Sequence, residues 1–332
     1  MRVLVTGGLG YIGSHMVVEL LQAGSDVAVV DNLENSNPRI IDPIERLGGR
    51  EFTFFQSDIR CAVDLKAAFV GFQPDAVVHL AARKNPGESV EQAIEYYDTN
   101  VGGTITLLRV MAECEVKRLV FSSSAAVYGN QEVVPIPENA KLNALTPYAA
   151  TKEVAERMIE FHSQATKDFS AVALRYFNPV ASHQSGAFAE FHHHQSTSLF
   201  PAIFRSFALE NGSFEVFGND LPTRDGTGVR DYIHIQDLAI GHLAALRETS
   251  ESPGFEVVNI GTGVGYSVKE VIETVECVCQ RKITFRYGQR RPGDPEESYA
   301  DPSRAFLKFG WKPVFGLEEM IRDEWQAFQP RS

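Results

Sequence analysis

The strand-like run Arg2–Thr6 leads into Gly7-Gly8-Leu9-Gly10-Tyr11-Ile12-Gly13, and apolar residues then recur at helical spacing. A buried β-run, a turn with glycines at its first, fourth and seventh positions and a helix form one strand–turn–helix unit. Gly7 permits the tight turn, Gly10 lets a pyrophosphate approach the backbone, and Gly13 lets helix and strand pack closely. The helix amino terminus supplies amides and a partial positive charge to phosphate. Asp31 ends the second strand-like run, 18 residues after Gly13. A carboxylate there bonds both ribose hydroxyls and repels a 2′-phosphate, and no Arg or Lys follows within seven residues. The expected cofactor is NAD rather than NADP.

The same rhythm continues. Strand-like runs at Asp26–Val30, Phe52–Gln56, Ala76–Leu80, Arg118–Ser122 and Ser170–Tyr176 alternate with helical patterns at Ile12–Ala23, Val63–Gly71, Ala93–Cys114 and Pro147–Ala165. Near-continuous apolar strands between helices predict βαβ units and a parallel sheet covered on both faces. The expectation is an α/β fold: a Rossmann-type doubly wound parallel sheet over 1–176 and a smaller α/β substrate-binding domain over 177–332. Within the latter, a segment near 228–248 is expected to pack back on the first. The pattern breaks after Tyr176, and Asn178–Gln195 reads as a long loop, a candidate lid or binding loop. Two further helices are expected at Gln236–Thr249 and Val268–Cys279.

Composition narrows the function. The 332 residues carry 31 Lys and Arg against 43 Asp and Glu, a net charge of −12. That balance argues against nucleic acid or an anionic membrane as the main partner. No apolar stretch approaches the ~20 residues that span a bilayer, and MRVLVTGG lacks the apolar core of a signal peptide. Four scattered cysteines do not make a disulfide framework, so a cytoplasmic location is expected. Cys277 and Cys279 read as two packed thiols, and His79 as a packed strand residue. The cluster Gly261-Thr262-Gly263-Val264-Gly265 reads as a turn before a helix capped by Ser267. His192-His193-His194 lacks an acidic or cysteine partner at ligand spacing, so no metal is expected.

Tyr148 and Lys152 stand four residues apart behind Thr146, a suitable helix cap, and Pro147, suited to the first helical position. They therefore share a helix face. A tyrosine with its ordinary pKa of about 10 is a poor base at neutral pH. A nearby ammonium and an oxidised nicotinamide would lower it. Ser122-Ser123-Ser124 closes a strand at the end where parallel sheets present ligand-binding groups, and a serine hydroxyl there can bond the oxygen that Tyr148 deprotonates.

In the order Gly7–Gly13, Ser124, Tyr148, Lys152, these motifs resemble the extended short-chain dehydrogenase/reductase family, and within it the UDP-galactose 4-epimerases. The resemblance runs along nearly the whole chain, through Asp31-Asn32, Asp58-Ile59-Arg60, Lys84, Phe121-Ser122-Ser123-Ser124, Arg175-Tyr176-Phe177-Asn178-Pro179-Val180, Phe217-Gly218-Asn219-Asp220 and Asp225–His234. It implies an NAD-dependent isomerase inverting carbon 4 of a UDP-hexose through a transient 4-keto sugar. Tyr148 takes the proton, Ser124 bonds the 4-oxygen, and Lys152 holds the nicotinamide ribose. The implied cofactor set is Gly7, Gly10, Tyr11, Ile12, Gly13, Asp31, Asn32, Asp58, Ile59, Leu80, Ala81, Lys84, Ser122, Tyr148, Lys152 and Tyr176. The implied substrate set is Ser124, Asn178, Ser198, Phe217, Arg230, Arg291, Asp294 and Ser298. A homodimer formed through Ala93–Cys114 and the helix beginning at Pro147 is also implied.

The match has gaps. Ser198 stands where the family has an asparagine, Ala82 replaces a glycine and Thr99 an asparagine. Ser298 occupies a position where a tyrosine restricts the pocket to plain hexoses, so acceptance of UDP-N-acetylhexosamines is expected. Ala125-Ala126 follow Ser124 where a dehydratase or decarboxylase needs an acid. A 4-epimerase of another nucleotide sugar and a non-catalytic NAD-binding regulator are the remaining alternatives.

Overall fold

In the computed structural model, which describes residues 1–188, 198–208, 212–249, 253–290 and 294–329, alternate residues of the central strands face opposite ways. Val3, Val5, Val27, Val29, Val78 and Val120 enter one apolar core. Leu4, Ala28, Val30, Val77, Leu119 and Phe121 enter another. A strand apolar on both faces must be covered on both, as the sequence rhythm requires. The strands are β1 (Arg2–Thr6), β2 (Asp26–Asp31), β3 (Thr53–Gln56), β4 (Ala76–His79), β5 (Arg118–Ser124) and β6 (Ser170–Tyr176). A seventh, β10 (Gly254–Ile260), joins them in the order β10-β6-β5-β4-β1-β2-β3. All neighbours are parallel. The Rossmann-type doubly wound sheet is borne out.

The helices beside it are α1 (Tyr11–Gln22), α2 (Ile41–Gly48), α3 (Ala62–Phe72), α4 (Pro86–Glu91), α5 (Ala93–Tyr96), α6 (Gly103–Glu113) and α7 (Pro147–Ala165). The long helix expected from Ala93 is interrupted by a π turn over Tyr97–Gly102 between α5 and α6. α7 begins as its sequence dictates: Pro147 opens it, and the Thr146 side chain accepts from the Ala149 amide at 3.2 Å.

Beyond Tyr176 the remaining strands are β7 (Asn178–Val180), β8 (Phe214–Phe217), β9 (Val229–His234), β11 (Gly265–Ser267), β12 (Phe285–Gly288) and β13 (Glu297–Ser298). Strands β7, β11 and β13 all pair with β9, and β12 pairs with β8. Helices α8 (Leu199–Ala208), α10 (Val268–Cys279) and α12 (Leu317–Phe328) close over a third core. Helix α11 (Ser303–Phe309) lies near β10. Helix α9 (Ile235–Glu248) lies against α1 and the sheet, and β10 is an edge strand of that sheet, so two stretches beyond Tyr176 complete the first layer. Sequence rhythm missed β10 because its parallel neighbour β6 lies far back in the chain, across the second unit. It also takes β7 as part of the loop; residues 189–195 of that loop lie outside the described residues.

Candidate active site

The carboxyl ends of the parallel strands open onto a cleft of about 1860 Å³. Gly7 has φ +71°, and a Cβ there would meet the Ala81 backbone nitrogen at 2.8 Å; at Gly13 it would meet the Gly7 carbonyl oxygen at 2.1 Å. Both positions therefore admit only glycine. A Cβ on Gly10 would touch only the Gly7 carbonyl, at 3.3 Å, and Gly10 lines the cleft. The backbone is bare where a ligand would pass. Gly10 caps α1 and has no side chain of its own to bond the amides of that first turn. Asp31 is held by the Leu9 amide at 3.1 Å, the Leu33 amide at 2.9 Å and the Ser36 hydroxyl at 2.7 Å. Asn32 donates to Asp58 at 3.0 Å. Arg60 bonds Asp58 and holds its carboxyl below the usual range.

Lys84 projects into the cleft. Its side chain is accessible to water, yet the surrounding walls desolvate the ammonium and lower its pKa. The nitrogen lies 5.8 Å from the Tyr11 ring centre. The Tyr11 hydroxyl in turn donates to the Ala181 carbonyl at 2.5 Å, tying the glycine turn to the long loop. Thr99 Oγ1 is buried without a partner among the described residues, in a residue that lines the cleft. Amides, a bare glycine, a carboxylate and an ammonium without an ion pair among the described residues line one wall, a set of groups that fits a dinucleotide.

Ser124, Tyr148 and Lys152 line the same cleft. The Lys152 ammonium donates to the Ser122 carbonyl at 2.8 Å and stands 5.1 Å from the Phe121 ring centre. Burial lowers its pKa to about 8, opposed by the charge of Glu156 one turn along α7. Burial raises the Tyr148 pKa, opposed by a hydrogen bond with Ser124. The expected lowering of Tyr148 is therefore not a property of the chain alone, because desolvation outweighs the polar groups around it. Behind the pair, Glu156 accepts from Ser123 and takes a two-point ion pair from Arg175, at 2.9 and 2.5 Å. Tyr176 bonds Ser122.

On the opposite wall, Arg230 pairs with Asp294 at 3.4 Å and donates to the Val229 carbonyl at 2.9 Å. Asn178, Ser198 and Phe217 line the cleft beside them, as do Ile12, Asp58, Ile59, Leu80 and Ala81 on the first wall. Ser298 does not. It is in register with Arg230 between β13 and β9, buried behind the cleft surface. Arg291 and His192–His194 lie outside the described residues. Among the described residues no group of His, Cys, Asp and Glu is placed to hold a metal ion.

Other sequence expectations resolve physically. His79 is buried between Thr6 and Thr104, at 2.7 and 3.0 Å, and burial lowers its pKa to about 3, so it stays neutral. The amides of Thr262 and Gly263 are taken by the buried carboxylate of Asp231, at 2.8 and 3.0 Å, so the second glycine cluster is a turn and holds no phosphate. Ser267 caps α10 in a capping box with Glu270. Cys279 is buried, but Cys277 is exposed, because the two face different sides of α10. Sequence reading missed Glu34, Arg83 and Glu88 at the cleft. Their only signal is the meeting of two loops distant in sequence.

The family model for the NAD dependent epimerase/dehydratase family matches residues 3–261. The UDP-glucose 4-epimerase of Pasteurella multocida (strain Pm70) is 44% identical over 326 residues, covering 98% of this chain and 96% of that protein. Among solved structures, the UDP-glucose 4-epimerase of Stenotrophomonas maltophila, with bound NAD and formylated UDP-arabinopyranose, superposes with a TM-score of 0.95 at 43% identity over 99% of this chain and 98% of that one. That of Bifidobacterium longum, in complex with NAD+ and UDP, gives 0.93 at 39% identity over 98% of each chain.

Proposed function

The chain belongs to the NAD-dependent epimerase/dehydratase family, and from that premise we propose that it inverts carbon 4 of a UDP-hexose, interconverting UDP-galactose and UDP-glucose with NAD as resident cofactor. The observation that carries this is the position of Ser124, Tyr148 and Lys152 between a wall suited to a dinucleotide and a wall bearing Arg230 and Asp294.

When bound, NAD supplies the reversible oxidant that takes hydride from carbon 4 and returns it, so the sugar passes through a 4-ketone. The glycine-turn amides, Asp31, Lys84 and Thr99 are the groups that would hold it. Tyr148 accepts the 4-hydroxyl proton and gives it back. Because burial keeps its pKa high in the chain alone, Tyr148 becomes a base only when a cation is brought near it. Lys152, four residues along α7 and anchored on the Ser122 carbonyl, is the cation of this chain placed to hold the cofactor beside Tyr148. Ser124 orients the oxygen being deprotonated. Arg230 presents a fork suited to phosphate oxygens, with Asp294 as its alternative partner. No acid stands at Ala125 or Ala126, so neither dehydration nor decarboxylation has a catalyst there.

We take residues 1–176, completed by α9 and β10, as the dinucleotide unit and the rest as the substrate unit. Ile94, Tyr97, Val154 and Phe161 are exposed on the helical stretch 93–113 and on α7, which supports a homodimer through that face, measurable by sedimentation. All four cysteines are free thiols, which suits a cytoplasmic protein. No helix among the described residues is long and apolar enough to cross a membrane.

The test is to incubate the purified protein with UDP-galactose, and separately with UDP-N-acetylgalactosamine, and to follow the anomeric protons by NMR without added NAD. Conversion of UDP-galactose to its gluco epimer is the expected result. No conversion of either, even with NAD supplied, overturns the assignment of the sugar nucleotide.

A further inference from the structure

Strand β1 lies between β4 and β2 in the sheet. An ion pair between the loops that follow β2 and β4 therefore crosses the end of β1, where the glycine turn begins. Such a pair exists: the Arg83 guanidinium, after β4, bonds the carboxylate of Glu34, after β2. Its other arm bonds Glu88 at 3.2 Å and Gln92 at 3.1 Å on the α4 side. Arg83, Glu34 and Glu88 all line the cleft.

The arginine is held at its backbone as well. Asn100 accepts from the Arg83 amide at 2.8 Å and donates to its carbonyl at 3.0 Å, and it also donates to Thr151 of α7 at 3.0 Å. The Arg83 side chain is 22% exposed and that of Glu34 38%, so the arginine end of the pair is the sheltered one and the carboxylate end faces solvent. Its Nε is buried and has no partner among the described residues, so the guanidinium keeps one donor uncommitted.

We propose that Arg83 and Glu34 form a latch over the adenosine half of the bound dinucleotide, and that breaking this ion pair governs how fast NAD leaves. The inference rests on the reading that NAD occupies this cleft. Asp31 and the glycine turn lie below the bridge, so the adenosine can pass in or out only when Arg83 releases one wall. Glu88 and Gln92 keep the guanidinium at the mouth of the cleft when Glu34 lets go, so the latch can close again.

The test uses the holoprotein and the variants Arg83→Met and Glu34→Gln, with folding checked by thermal melting. Each is loaded with NAD, and the rate of NAD loss under dialysis is followed by assaying retained nucleotide after acid release, at about 50 mM and about 500 mM NaCl. Arg83→Met is expected to lose NAD about tenfold faster and Glu34→Gln several-fold faster, while salt speeds the wild type most. Wild-type rates in both variants overturn the latch. Loss confined to Arg83→Met also overturns it, since Arg83 would then act by touching the nucleotide alone. If no form, wild type included, takes up NAD, the proposed function falls and the latch with it.

Discussion

On the wall built by β1, β4 and β5, Lys84 and Lys152 stand in or beside the cleft with no carboxylate in ion-pair range among the described residues. On the wall built by β8, β9 and β13, Arg230 pairs with Asp294 at 3.4 Å and Arg290 with Asp220 at 2.9 Å. An ammonium desolvated without a counter-ion is a standing cost, relieved when an electron-rich ligand settles against it. An arginine that already has a carboxylate gains less, because it exchanges one partner for another. The first arrangement suits a ligand that stays and the second a ligand exchanged at every turnover. One cleft can thus hold a resident cofactor beside a transient substrate.

The sharpest way to break that division is at the point where the walls meet. Tyr148→Phe removes the proton acceptor, and turnover of UDP-galactose is expected to fall about 10³-fold. A loss of less than tenfold in a steady-state assay would remove Tyr148 from the chemistry.

Next in size is the cost of the unpaired ammonium itself. The Lys152 pKa is about 8 in the folded chain against 10.5 as a free side chain. Between those values the unfolded chain binds more protons, so wild-type stability rises with pH across that window. Below pH 8 the full cost of keeping the buried ammonium charged is present, on the order of 3 kcal/mol. NAD-free Lys152→Met should therefore be the more stable protein at pH 7. Its advantage in urea denaturation should shrink as pH rises from 8 to 10.5. A difference that does not change with pH would mean that Lys152 is not strained by burial.

The opposite wall answers to a different assay. Arg230→Met leaves Asp294 without its partner and the substrate without a phosphate fork, and KM for UDP-galactose should rise about 100-fold. If the same variant loses NAD on dialysis instead, the two walls are not separate. The smallest effect concerns Ser298. In-register neighbours on a parallel ladder project to the same face, so a tyrosine there reaches forward beside Arg230 although the serine does not. Ser298→Tyr should lower turnover of UDP-N-acetylgalactosamine about tenfold and spare UDP-galactose. Equal loss of both would show that the position does not discriminate.

The legible parts of the site share one trait: their chemistry depends on neighbours close in sequence. Gly7, Gly10 and Gly13 answer to one turn, Tyr148 and Lys152 to one helix face, and Thr146 and Pro147 to one helix start. Illegible parts depend on distant segments. Nothing near Arg83 in sequence announces Glu34, 49 residues away. The raised Tyr148 pKa of the chain alone is illegible for a similar reason: charge is visible in sequence, but the depth of burial that outweighs it is not.

Sequence by itself determined the alternation of buried strands and helices, the handling of the glycine turn and the helix start that carries Tyr148. Each follows from steric rules that act within a few residues. Only the tertiary structure decided that β10 closes the sheet edge, that Asp231 consumes the amides of the second glycine cluster, that Ser298 stands behind the cleft surface, and that an ion pair bridges the end of β1. Those outcomes turn on desolvation and on which charges meet across the fold, and both are set by packing between segments far apart in the chain.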